Sequence, residues 1–120
     1  HEKEVPFEEA PMGTTGLETA FAALHTLLVL PGILPLALVV ERLTAGGAAL
    51  GLPQPRIAPG APADLALVAL DRAWRPVDAG YESRSENCCF HERDLRGRVL
   101  MTVAAGSIAY RERSFALSAA

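Results

Sequence analysis

The side chains that could ligate a metal are His1, His25, His91 and the adjacent Cys88 and Cys89. A zinc site needs three or four such ligands converging at about 2 Å. Cys88-Cys89-Phe90-His91 has no second cluster to meet it, so a loop with two semi-buried thiols is favoured over a metal centre. His25 lies in an apolar run and reads as a core or interface histidine making one hydrogen bond, rather than a catalytic base. Ser83, Ser85 and Ser107 lack the strand-turn-helix elbow that exposes a nucleophile and read as loop and turn residues. Glu2, Glu4, Glu8 and Glu9 could pair as acid and base, but nothing nearby would raise one carboxyl's pKa, which favours a solvated acidic loop. Pro11-Met12-Gly13 is different. A glycine after a proline-defined turn lets main-chain groups approach another molecule closely, and this one stands just ahead of a helix start with unpaired amides. Met12 and Gly13 are the candidate ligand-contact residues, against the plainer reading of a turn that only delivers the chain into the helix.

The elements that must position these groups follow from spacing. Thr15-Gly16-Leu17-Glu18 fits a capping box. Leu17, Ala20, Phe21, Leu24, Leu27 and Leu28 then predict an amphipathic helix over 15–30, ended by Pro31-Gly32. Pro35 suits the first turn of a second helix over about 36–45, with Leu36, Val39, Val40 and Leu43 on one face. Pro53, Pro55, Pro59, Gly60 and Pro62 make a stiff connector. Beyond Asp64 the pattern turns to strands: an apolar run at 65–70, then a hairpin from Val99–Val103 and Ser107–Tyr110 around Gly106. The chain thus predicts an α+β arrangement, helical first and β second.

Composition narrows the classes. The chain has 120 residues, 50% of them apolar and 21% charged, which suits a folded segment rather than a disordered one. Fourteen acidic against eleven basic residues leave a net charge of −3, so nucleic acid is not an expected partner. Ala20 to Val40 is long enough to span a bilayer, but Pro31-Gly32 and Pro35 break it into two short buried helices, and no membrane association is expected. Neighbouring cysteines cannot easily meet disulfide geometry, which points to a cytoplasmic protein. Because the chain opens at His1 without Met or a targeting pattern, it reads as a piece of a longer polypeptide.

Glu2-Lys3, Pro6-Phe7-Glu8-Glu9-Ala10-Pro11-Met12-Gly13 and Gly16-Leu17-Glu18-Thr19-Ala20, in that order, closely resemble a stretch of the bacterial dihydroorotases. There the stretch follows the Asp-His-Ala-Pro-His motif of the last barrel strand. The likeness continues through Arg42-Leu43-Thr44-Ala45, Leu50-Gly51-Leu52 and Arg56-Ile57-Ala58-Pro59-Gly60-Ala61-Pro62-Ala63-Asp64-Leu65. Ser83-Arg84-Ser85-Glu86-Asn87-Cys88-Cys89-Phe90 is similar to the family's Ser-Lys-x-x-Asn-Thr-Pro-Phe segment, and Leu95-Arg96-Gly97-Arg98-Val99 to its Leu-Lys-Gly-Arg-Val strand. Gly-x-x-Ala-Asp-Leu is shared across the amidohydrolase superfamily, whereas Glu-Lys, Pro-x-Gly and Gly-Leu-Glu-Thr point to the dihydroorotase and allantoinase branch. The chain departs from the pattern at Met12, where Phe is commoner, at Gly46-Gly47 in place of Asn-Pro, and at Cys88-Cys89 in place of Thr-Pro.

The resemblance implies a C-terminal piece of a (β/α)8 TIM-like metal-dependent hydrolase, with its last helices and substrate loop in residues 1–52 and strands of a small composite β-sandwich in residues 53–120. It implies a zinc enzyme of pyrimidine (UMP) biosynthesis that interconverts L-dihydroorotate and N-carbamoyl-L-aspartate, with zinc ligands and catalytic Asp upstream of His1 and no catalytic or metal residue in this chain. His1 reads as a neighbour of the family's substrate-binding histidine, since it touches Glu2 where a few residues usually intervene. Met12 and Gly13 match the backbone contacts to the pyrimidine ring. Allantoinase or another cyclic amidohydrolase stays open, as does a catalytically inactive scaffold of aspartate transcarbamoylase. A homodimer and an aspartate transcarbamoylase partner stay open too.

Overall fold

A computed structural model describes residues 4–10 and 13–115. Met12, like His1, lies outside the described residues. Helix α1 covers Ala20–Leu24 and runs straight into a π-helical turn, His25–Val29, closed by Leu30 N–H on His25 O at 2.9 Å. Pro31 has no N–H to continue the ladder, and Gly32, at φ +77°, turns the chain away. Helix α2, Leu36–Thr44, begins after extended Pro35, and a short α3 follows at Gly46–Ala49.

The helix expected from residue 15 starts five residues later. Thr15 and Glu18 do not form a capping box: Thr15 N–H and Oγ1 donate to Asn87 O at 2.7 and 3.2 Å, and the Glu18 carboxylate faces the 82–83 backbone. Partners distant in sequence replace the local ones, and Thr19 becomes the N-cap without a side-chain capping bond.

The predicted β half is present and longer than its apolar pattern suggested. Strand β1 is Leu65–Trp74, β2 is Leu95–Ala104 and β3 is Ser107–Arg111, with one helical turn, α4 at Pro76–Ala79, between β1 and β2. The sheet is antiparallel in the order β1-β2-β3, with Leu65 opposite Val103, Trp74 opposite Leu95, and Ala104 opposite Ser107. Ala105 at φ +49° and Gly106 at φ +80° make the tight β2–β3 turn, whose twist suits a hairpin. Asp64 accepts the Ala105 N–H at 2.8 Å and holds that turn.

The core lies where α1 and the π-turn meet the start of β2. Leu95, Thr19, Ala22, Ala23 and His25 are buried there. Gly97, at φ +96°, brings the β2 backbone so close that an added Cβ would stand 3.0 Å from Phe21 Cε1 and 3.4 Å from His25 Nδ1. Thr26 Oγ1 accepts the Arg96 N–H at 2.7 Å, tying helix to strand. The molecule is a small α+β unit with a three-stranded antiparallel sheet.

Candidate functional site

Gly13 adopts φ +67°, a conformation that disfavours any residue with a Cβ, yet nothing stands within 4 Å of where a Cβ would be. Backbone geometry, not crowding within this chain, makes glycine suitable there. Its orientation is set from the β half: Asn87 Nδ2 donates to Gly13 O at 2.8 Å. Asn87 O in turn accepts from Thr15 N–H and from the hydroxyls of Thr14, at 3.0 Å, and Thr15. Thr14 Oγ1 also accepts the Cys89 N–H at 3.2 Å, so residues 13–15 and 87–89 form one hydrogen-bonded clasp.

A second clasp lies one turn on. Glu18 accepts from Glu82 N–H at 2.9 Å, Ser83 N–H at 3.0 Å and Ser83 Oγ at 2.6 Å. Partial burial by itself would raise the Glu18 carboxyl, but these donors and the Arg98 charge outweigh it and hold the group below its ordinary value. Ser83 thus ties the 82–83 backbone to Glu18.

The candidate ligands do not converge. Cys88 is buried beside the Thr19 hydroxyl, Sγ to Oγ1 3.7 Å, while Cys89 is exposed, and both are free thiols. His25 hydrogen-bonds from Nδ1 to Arg96 O at 3.3 Å and stacks on Phe21, the single-bonded core histidine its apolar setting suggested. His91 stacks on Tyr81, with Nδ1 3.0 Å from the phenol oxygen. Burial first, then neighbouring Cys88, pushes that phenol up to about 12, so it stays protonated near neutral pH. Among the described residues no group of three or more His, Cys, Asp or Glu could hold a metal ion. A cleft of about 850 Å³ is lined by Leu17, Glu18, Trp74, Arg98 and Tyr110, among others, and does not include Gly13. Among the described residues no helix is long and apolar enough to cross a membrane.

Several curated proteins match nearly all of this chain, and each is a dihydroorotase. That of Syntrophus aciditrophicus is 37% identical over 112 residues, 92% of this chain and 26% of that protein. Those of Lactiplantibacillus plantarum and Anaeromyxobacter dehalogenans are both 39% identical, over 91% and 92% of the chain. By sequence the chain belongs with the dihydroorotases. It spans about a quarter of the length of these relatives. No family model matches it. Gly13, the last residue of the dihydroorotase-like Pro-x-Gly, and the segment from Ser83 to Phe90 are thus brought together by the clasp. Asn87, Thr14 and Ser83 were missed as positioning groups, although the resemblance had already marked the 83–90 segment as a unit.

Proposed function

We propose that the intact protein containing this chain is a dihydroorotase, hydrolysing the cyclic amide of L-dihydroorotate to N-carbamoyl-L-aspartate and running the reverse in pyrimidine synthesis. The observation that carries this reading is the similarity to several dihydroorotases across more than nine-tenths of the chain. In this reading residues 1–52 complete a (β/α)8 barrel, residues 53–120 contribute to a small β-sandwich, and the protein works in the cytoplasm. The described residues do not fit a zinc site; the zinc that the family implies would be held by residues outside this chain.

The chain's own contribution is to bind. Gly13, with Met12 beside it, presents main-chain N–H or C=O groups to the planar amide of the substrate ring, and the left-handed Gly13 conformation supports that role by turning the peptide out of a regular path. Steady-state kinetics on the full-length protein test the proposal. L-Dihydroorotate should be turned over and allantoin should not; turnover of allantoin alone would move the protein to the neighbouring branch, and no turnover of either would leave an inactive scaffold. Met12→Phe should be tolerated because the contact is made by backbone. Gly13→Val should raise KM about tenfold or more, since a branched residue resists φ +67°.

A further inference from the structure

We infer that Asn87 is a positioning residue for the substrate loop: its carboxamide, delivered by the β half, sets the orientation of the Gly13 peptide. The inference rests on the dihydroorotase reading and goes beyond it, because it assigns control of binding to a side chain 74 residues away from the loop.

A glycine at φ +67° with open space around it has many alternative conformations, and packing against this chain does not choose among them. The Nδ2–H to Gly13 O bond at 2.8 Å does choose. It fixes the plane of the peptide following Gly13, while Asn87 O anchors the next two residues through the Thr15 amide and both threonine hydroxyls. Asn87 N–H is itself held by Ser85 Oγ at 3.2 Å, so the donor arm starts from a fixed backbone. One hydrogen bond of this kind shifts the balance between set and unset loops by about 3- to 10-fold. If substrate is bound only by the set loop, that factor appears in KM and not in kcat.

The test uses the full-length protein with Asn87→Ala, which removes the donor and keeps the backbone anchors, and Asn87→Asp, which puts a carboxylate against Gly13 O. Both should raise KM for L-dihydroorotate about 3- to 10-fold or more, Asp the more strongly, with kcat within about twofold and a cooperative thermal transition retained. Unchanged KM in the folded variants, or a fall in kcat alone, overturns the inference. Gly13→Val separates the two levels. If it raises KM while the Asn87 variants do not, positioning by Asn87 fails and the loop contact stands; if it leaves KM unchanged, the loop contact itself fails and the inference falls with it. Should the Asn87 variants not fold, Thr14→Val, at an exposed position, breaks the same clasp by removing the hydroxyl between Asn87 O and Cys89 N–H. A raised KM there supports the clasp, and an unchanged one overturns it.

Discussion

Residues 13–30 and 36–52 are both rich in apolar side chains, yet the first stretch is gripped and the second lies open. In the first, Thr19, Ala22 and His25 are buried, and Gly13 O, the Glu18 carboxylate and the Thr26 hydroxyl are hydrogen-bonded to Asn87, Glu82 and Arg96. In the second, Val39 is buried while Leu43 is 47% and Leu50 79% exposed. What separates them is not hydrophobicity but the supply of partners. Strand β2 and the 82–89 loop offer the first stretch a close backbone and several hydrogen-bond donors, and α2 receives neither.

Two glycines break this comparison most sharply. Gly97→Val meets both a left-handed φ and the Phe21 ring, and should cost the intact protein about 3–5 kcal/mol in urea unfolding. Gly51→Ala meets a similar φ of +71° but no atom within 4 Å, and should cost about 1 kcal/mol. Equal losses would mean that the helix–strand contact at Gly97 contributes nothing beyond backbone strain.

Much of this architecture was legible. Proline and glycine at 31–35 separated the helices, and the two strand-like runs on either side of Gly106 announced the hairpin. The start of α1 was not, because Thr15 and Glu18 satisfy a local capping rule equally well until residues 82–87 are brought up to them. The special backbone of Gly13 could be read from its residue type, whereas its bond to Asn87 could not: no periodicity relates a loop amide to a glycine in the other half of the chain. His25 was readable because an apolar surrounding leaves a histidine few options besides one hydrogen bond.

A smaller effect should come from Glu18→Gln, which keeps the shape and removes the charge from the second clasp. At neutral pH it should cost about 1 kcal/mol, allowing for solvent screening. Because the folded carboxyl titrates below its ordinary 4.5, the unfolded chain takes up the proton first as pH falls. The Glu18 contribution is therefore whole above 4.5 and fades as pH drops through the folded value, so wild type and variant should converge in acid. A constant gap from neutral pH into acid would show that the charge contributes nothing.

The smallest change is a gain. Ala105 occupies φ +49° ahead of Gly106, and Ala105→Asn, the favoured residue for such a turn, should stabilise by about 0.5–1 kcal/mol in the same unfolding measurement. A loss would indicate that the Asp64 contact to the turn depends on alanine's small size.

The Asn87 clasp also bears on when the site comes into being during synthesis. Gly13 leaves the ribosome 74 residues ahead of the side chain that orients it. At about 5–20 residues per second the loop waits roughly 4–15 s, and closing so long a span adds an entropic delay. A nascent chain halted before residue 87 would already contain Gly13 to Thr15, and that segment would not yet have its shape.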